Sequence, residues 1–154
     1  MKNVESARSE EISGHFTFSD IFKLINGIST KLEQFQKQKI KNILPDVSLT
    51  KFMILRHLWK ENEAPFKVIA KECNCPPSTL TGVVDSMEND ELVFRERDSK
   101  DRRVIILGIT EKGKSLQNSE DQFEESLETC CTGFNEGELK HLGDLLIKLD
   151  ESLD

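Results

Sequence analysis

The chain has 154 residues and a mass of 17.6 kDa, enough for one domain, alone or in a dimer, and too little for two large catalytic domains. Its 21 Lys and Arg against 28 Asp and Glu leave a formal charge of -7, which gives no global attraction to DNA or an anionic membrane, although an average can conceal a local basic surface. With 36% hydrophobic and 32% charged residues, four Pro and eight Gly, the composition is that of an ordered, helix-rich chain, not a collagen-like or disordered one.

The charge is unevenly placed: +4 over residues 1–60, -5 over 61–94, +3 over 95–114 and -9 over 115–154. Apolar runs such as Val104 to Leu107 fall far short of the roughly eighteen residues that span hydrocarbon, and residues 1–11 lack an apolar signal core. No membrane association is expected, and the expected compartment is the cytoplasm. Cys73, Cys75, Cys130 and Cys131 are expected as free thiols, because a chain of this length buries an adequate core without disulfides.

In chain order, Phe18, Ile21, Phe22, Ile25, Ile28, Leu32 and Phe35 recur in steps of three, four and seven and predict an amphipathic helix from about Ser19 to Lys41. At 1.5 Å per residue it is about 35 Å long, longer than a small core requires, so part of its stripe is expected against a second subunit. Beyond Pro45, Thr50 is the predicted N-cap of a helix carrying Phe52, Ile54, Leu55, Leu58 and Trp59, with Asn62 near its end. A short helix over Phe66–Glu72 is expected to bury Val68, Ile69 and Cys73, followed by a tight turn at Asn74. Pro76 or Pro77 suits the first turn of the next helix, which runs to about Asn89 on Leu80, Val83, Val84 and Met87.

The period then shortens. Leu92 to Phe94 and Val104 to Leu107 read as two β segments joined by the charged run Arg95 to Arg103, a projecting hairpin tip or wing. Thr110 is the predicted cap of a helix from Glu111 into the 120s bearing Leu116, Phe123 and Leu127. Asn135 and Glu138 have capping-box spacing for a last helix bearing Leu139, Leu142, Leu145, Leu146 and Leu149. The fold class is thus mainly α with a small β-hairpin wing.

Helix, turn, helix and hairpin together suit a duplex: the second helix can enter a major groove while a cationic hairpin reaches phosphates or the adjacent minor groove. Ser78, Thr79 and Thr81 open the second helix, where short hydroxyls can donate to phosphates or base edges and the helix terminus favours an anion. The hairpin run holds Arg95, Arg97, Lys100, Arg102 and Arg103 against Glu96, Asp98 and Asp101, a local +2. Arg97, Lys100, Arg102 and Arg103 are the candidate DNA contacts there, and Asp98 and Asp101 the residues that shape the loop. No catalytic residues, metal site or cofactor are expected. His15, His57 and His141 are widely spaced, no nucleophile, acid and base converge, Cys73-x-Cys75 is not the common zinc spacing, and Cys130-Cys131 has no nearby histidine.

Ile69-Ala70-Lys71-Glu72, Pro77 through Asp85, Leu92-Val93, Asp101-Arg102-Arg103 and Thr110 through Gly113 together resemble the MarR family of winged helix-turn-helix regulators. The distinctive motifs occupy only Thr50 to Gly113, but the flanking long helices fall where that family forms its dimer. The resemblance implies a winged helix-turn-helix with long N- and C-terminal dimerisation helices. In that division 1–45 is an N-terminal dimerisation region, 46–110 a DNA-binding lobe and 111–154 the helices completing the dimer. It also implies a homodimer on a pseudo-palindromic operator in double-stranded DNA, acting as a repressor released by a small aromatic or phenolic effector. Phe22, Phe52, Leu55, His57 and Trp59 are the candidate pocket residues for that effector.

The sequence also departs from the family. No Lys or Arg lies between Ser78 and Asp90, Ser86 stands where arginine is frequent, and Glu91 replaces the usual glycine, which leaves Asn89 or Asp90 to manage the turn. Direct arginine-to-guanine readout from this helix is therefore not expected. Two other readings stay open at this stage: a thiol- or metal-responsive regulator of the same fold, and a winged-helix protein-interaction module that no longer reads DNA.

Overall fold

The structure is a computed structural model that describes residues 17–129 and 133–153; His15, Cys130 and Cys131 lie outside the described residues. Internal contacts group the chain into two units, residues 1–38 and 39–154. Helix α1 (Phe18–Ile43) begins in the first and ends in the second, close to its expected bounds. Thr17 and Asp20 close its start reciprocally: the Thr17 amide donates to the Asp20 carboxylate at 3.2 Å, and the Asp20 amide donates to the Thr17 hydroxyl oxygen at 3.3 Å. In the first unit, Phe18, Phe22, Leu24, Ile28 and Leu32 are exposed.

The second unit is mainly helical with a small antiparallel sheet. After α1 come α2 (Leu49–Glu61), β1 (Glu63–Pro65), α3 (Phe66–Glu72), α4 (Pro77–Asn89), β2 (Val93–Arg97), β3 (Ile105–Ile109), α5 (Glu111–Ser115), α6 (Asn118–Glu128) and α7 (Glu136–Glu151). The sheet order is β1-β3-β2, with Glu63 opposite Gly108 and Val93 opposite Ile109. Its core gathers Ile40, Phe52, Ile54, Leu55, Leu58, Ile69, Leu80, Val84, Met87, Leu107 and Phe123, all fully buried. Phe52 is central, edge-on to Trp59 with centroids 5.6 Å apart and tilted against Phe123 at 4.9 Å.

Several expectations need correction. The cap of α2 is Ser48, not Thr50: Ser48 is extended (φ -70, ψ 160) and its hydroxyl accepts from the Lys51 amide at 3.3 Å. Thr50 lies inside the first turn, because starting at Leu49 lets that leucine pack against the core. Val68 is exposed, and of the expected trio only Ile69 is fully buried. β1 has no sequence signal; three residues ending in proline show no periodicity, and the strand exists through its pairing with β3 and the Ile109 amide bond to the Asn62 carbonyl at 3.0 Å. Both hairpin strands are longer than expected: Arg95, Glu96 and Arg97 pair with Leu107, Ile106 and Ile105, so the tip shrinks to 98–104. Charged side chains do not prevent ladder bonds, which use only the backbone. The helix after Thr110 is interrupted between Ser115 and Asn118, where Asn118 and Ser119 follow Leu116, poor interior helix formers that favour caps.

Two tight stops define the helix-turn-helix and its exit. After α3 the Cys75 amide reaches the Ala70 carbonyl at 3.0 Å while Asn74 takes φ 44. After α4 the Leu92 amide reaches the Met87 carbonyl at 2.9 Å while Glu91, and neither Asn89 nor Asp90, takes φ 59. Both are Schellman stops, in which the residue just past the helix is left-handed and glycine is preferred. Asn tolerates that region; Glu does not. Glu91→Gly is therefore expected to raise the unfolding free energy by about 0.5–1 kcal/mol, the relieved strain outweighing the entropy glycine adds to the unfolded chain. The Lys112–Glu91 pair that it removes, at 3.8 Å with Glu91 82% exposed, contributes little. A urea midpoint lower than the parent's would contradict this account of the turn.

Candidate nucleic-acid interface

Leu80, Val84 and Met87 are fully buried and anchor one face of α4, which turns Ser78, Thr81 and Asp85 outward; Thr79 is also exposed. No side chain caps this helix: the N-cap is Pro76, and Ser78 makes no capping bond. Pro77 at the first position has no amide hydrogen, so the Ser78 and Thr79 amides are the donors at an exposed, positively polarised terminus. The Thr81 hydroxyl donates back to the Pro77 carbonyl at 2.9 Å, which leaves its oxygen free to accept.

The hairpin tip is built by two aspartates. The Asp98 carboxylate accepts from the Asp101 amide at 2.8 Å and the Lys100 amide at 2.7 Å, and these bonds hold its pKa below the usual carboxylate range. That contribution to order is complete above the ordinary carboxylate pKa and is lost only as pH falls through the lowered value, so the tip stays formed at neutral pH. Asp101 accepts from the Arg103 amide at 3.0 Å and from its Nε at 3.1 Å, and Arg97 Nη1 donates to the Arg102 carbonyl at 3.0 Å. Lys100, Arg102 and Arg103 remain exposed, the Arg103 side chain 90% so.

Arg95 is the residue that reading by charge misplaces. Counted among the tip cations, it instead sits in β2 with its side chain 22% exposed, turned onto α4. Its Nη1 lies 2.6 Å from Asp85 Oδ1 and 2.5 Å from Glu88 Oε2, its Nη2 donates to the Thr81 carbonyl at 3.1 Å, and its amide donates to Glu88 Oε1 at 2.9 Å. The guanidinium also stands 5.9 Å from the centroid of the Phe66 ring. The only hint in the sequence was the alternation along β2, which puts Arg95 on the same side as the buried Val93.

Of the candidate pocket residues on α2, Phe52, Leu55 and Trp59 join one core cluster, whereas His57 faces a cavity. Phe52 and Leu55 are fully buried in the core, and Trp59 is 7% exposed with its indole N–H donating to the Gly113 carbonyl at 2.9 Å. Phe22 lies on the exposed part of α1 in the first unit. His57 lines a cavity of about 340 Å³ with Met53, Arg56, Lys60, Glu72 and Cys73; its Nε2 is buried without a hydrogen-bond partner. Arg56 is engaged by Glu120 at 3.1 Å and by Glu124. Burial, then Cys75 and Glu72, push the Cys73 thiol up to about 11, so at neutral pH it is protonated and a poor nucleophile. Among the described residues no group of three or more His, Cys, Asp or Glu is placed to hold a metal ion, and no helix is long and apolar enough to cross a membrane.

Comparison with known proteins places this lobe in context. A sequence profile described as the MarR family matches residues 47–105. The HTH-type transcriptional regulator MhqR of Bacillus subtilis (strain 168) is 36% identical over 69 residues, 45% of this chain and 48% of that protein, so the match spans about half the length of that relative. A MarR-like transcription regulator from Bacillus cereus ATCC 10987 superposes with a TM-score of 0.77 at 23% identity, covering 88% of this chain and 97% of the other. The Staphylococcus aureus MepR–DNA complex superposes with a TM-score of 0.73 at 24% identity, covering 90% and 99%.

Proposed function

We propose that the chain is a non-enzymatic winged helix-turn-helix transcriptional regulator of the MarR family, whose profile it matches over residues 47–105, and that it acts as a homodimeric, sequence-specific DNA-binding repressor. The observation that carries the reading is the pairing, on one lobe, of an uncapped α4 terminus bearing exposed Ser78, Thr79 and Thr81 with a hairpin tip bearing Lys100, Arg102 and Arg103. The terminus would meet bases and phosphates in a major groove; the tip would meet the neighbouring backbone. Arg97, which holds the tip through the Arg102 carbonyl, would contact DNA beside it, and Asp98 and Asp101 would set the tip's shape. The likeness to MepR, whose structure was obtained with DNA, supports the same mode.

Dimerisation is supported by α7. None of its residues is buried, and Leu139, Leu142, Leu145 and Leu146 are 42–51% exposed, a row that a solitary helix would leave in water. In this reading 1–45 and 111–154 form the dimer, 46–110 forms the DNA-binding lobe, and a two-fold axis requires a pseudo-palindromic operator. A small aromatic or phenolic effector would release DNA by favouring a separation of lobes that cannot span both half-sites. The cavity beside His57, with a buried unpartnered nitrogen and soft walls at Met53 and Cys73, is the place proposed for it.

The test is selection of genomic fragments by the purified full chain, followed by sequencing, with its mass in solution measured in parallel. Recovery of one recurring inverted repeat by a dimer is expected. A monomer, or no enrichment even at low salt, would overturn the proposal.

A further inference from the structure

We propose that Arg95 is a positioning residue for DNA binding, cancelling the negative charge of α4 so that this helix can approach phosphates. The inference rests on the reading of α4 as the helix that enters DNA, and it concerns a residue that touches no DNA itself.

Asp85 follows Thr81 by four residues and Glu88 follows Asp85 by three, so both carboxylates continue the outward stripe that carries the proposed contact residue. α4 contains no Lys or Arg. Left alone, it would bring a row of negative charge toward a polyanion. The compensating cations come from other elements: Arg95 of β2 meets Asp85 and Glu88 together, and Lys51 of α2 meets Asp90 just past the helix end at 2.6 Å. Arg95 is suited to this. One guanidinium addresses two carboxylates and the Thr81 carbonyl at once, and the Phe66 ring beside it keeps the fork in place. With only 22% of its side chain exposed, against 90% for Arg103, it is a poor phosphate contact and a good internal counter-charge.

Affinity for a random duplex and for the selected operator should be measured for the full chain, for Arg95→Gln, for Asp85→Asn with Glu88→Gln, and for the triple variant, each checked for folding by a thermal melt. Arg95→Gln is expected to weaken binding to both duplexes about tenfold at low salt, as uncovered carboxylates a few ångströms from phosphates would. The triple variant is expected to return to within about threefold of the parent, because the repelling charges are gone as well. A triple variant as weak as Arg95→Gln would mean that Arg95 binds DNA directly and would overturn the proposal. So would unchanged binding by Arg95→Gln. If Arg95→Gln does not fold, the pair Asp85→Asn with Glu88→Gln decides: tighter binding to random duplex is expected, and weaker binding overturns the proposal. A parent chain that binds no DNA at all would refute the underlying function instead, so the two failures are distinguishable.

Discussion

Phe52→Ala is expected to lower the unfolding free energy by about 3–5 kcal/mol, the range for removing a fully buried aromatic ring. The ring is wholly inaccessible and braces Trp59 and Phe123 at the same time. Its loss therefore forfeits both apolar burial and two aromatic contacts, and leaves a void that α2 and α6 cannot close without moving. Against a typical total of about 5–15 kcal/mol, that is at least about a fifth of the stability of the lobe. Urea denaturation followed by far-ultraviolet circular dichroism measures it. The outcome also separates two roles: an effector-pocket residue would lose the response to ligand with stability intact, whereas a core residue loses stability first. A change under about 1 kcal/mol would place Phe52 outside the core.

The second large effect is on binding. Arg102→Ala combined with Arg103→Ala is expected to weaken operator and random duplex equally and to reduce the slope of log K against log salt by about 1.8, close to 0.9 per lost phosphate contact. Over a fourfold range of salt this difference amounts to about tenfold in affinity. Folding stability should change by less than about 0.5 kcal/mol, because both side chains are exposed and the Arg103–Asp101 pair is a surface one. Salt titrations by fluorescence anisotropy read the slope directly. An unchanged slope would remove these arginines from the interface, and a loss confined to the operator would turn them into base-reading residues.

What could be read ahead of the fold divides along a physical line. Elements whose cause lies within a few residues were legible: the short helix over Phe66–Glu72, the left-handed turn at Asn74, the proline start of α4, the Thr110 cap and the Asn135–Glu138 capping box all appear where local chemistry puts them. The start of α2 was read two residues late because Ser48 and Thr50 are chemically alike as caps, and only the packing of Leu49 distinguishes them. Glu91 was passed over as a left-handed residue because nothing about glutamate favours that conformation; the Leu92–Met87 bond and the docking of β2 impose it.

The candidate interface divides in the same way. Its ingredients, the hydroxyls at the head of α4 and the cations with their aspartates between the strands, are visible as a string, since spacing and charge need no third dimension. Which cations face outward is not. Arg95 and Arg97 are two residues apart and chemically identical, yet one is folded onto α4 and the other holds the tip. Likewise Phe52, Leu55, His57 and Trp59 share one helix, and burial against α6 and the sheet makes three of them core and one a cavity wall. Local chain chemistry, acting over three or four residues, was enough to specify most of the helices, the turn at Asn74 and the presence of a cationic hairpin. The partner of each side chain depended on distant segments arriving at the same place, because packing and ion pairing are set by proximity in space, which a linear pattern does not encode.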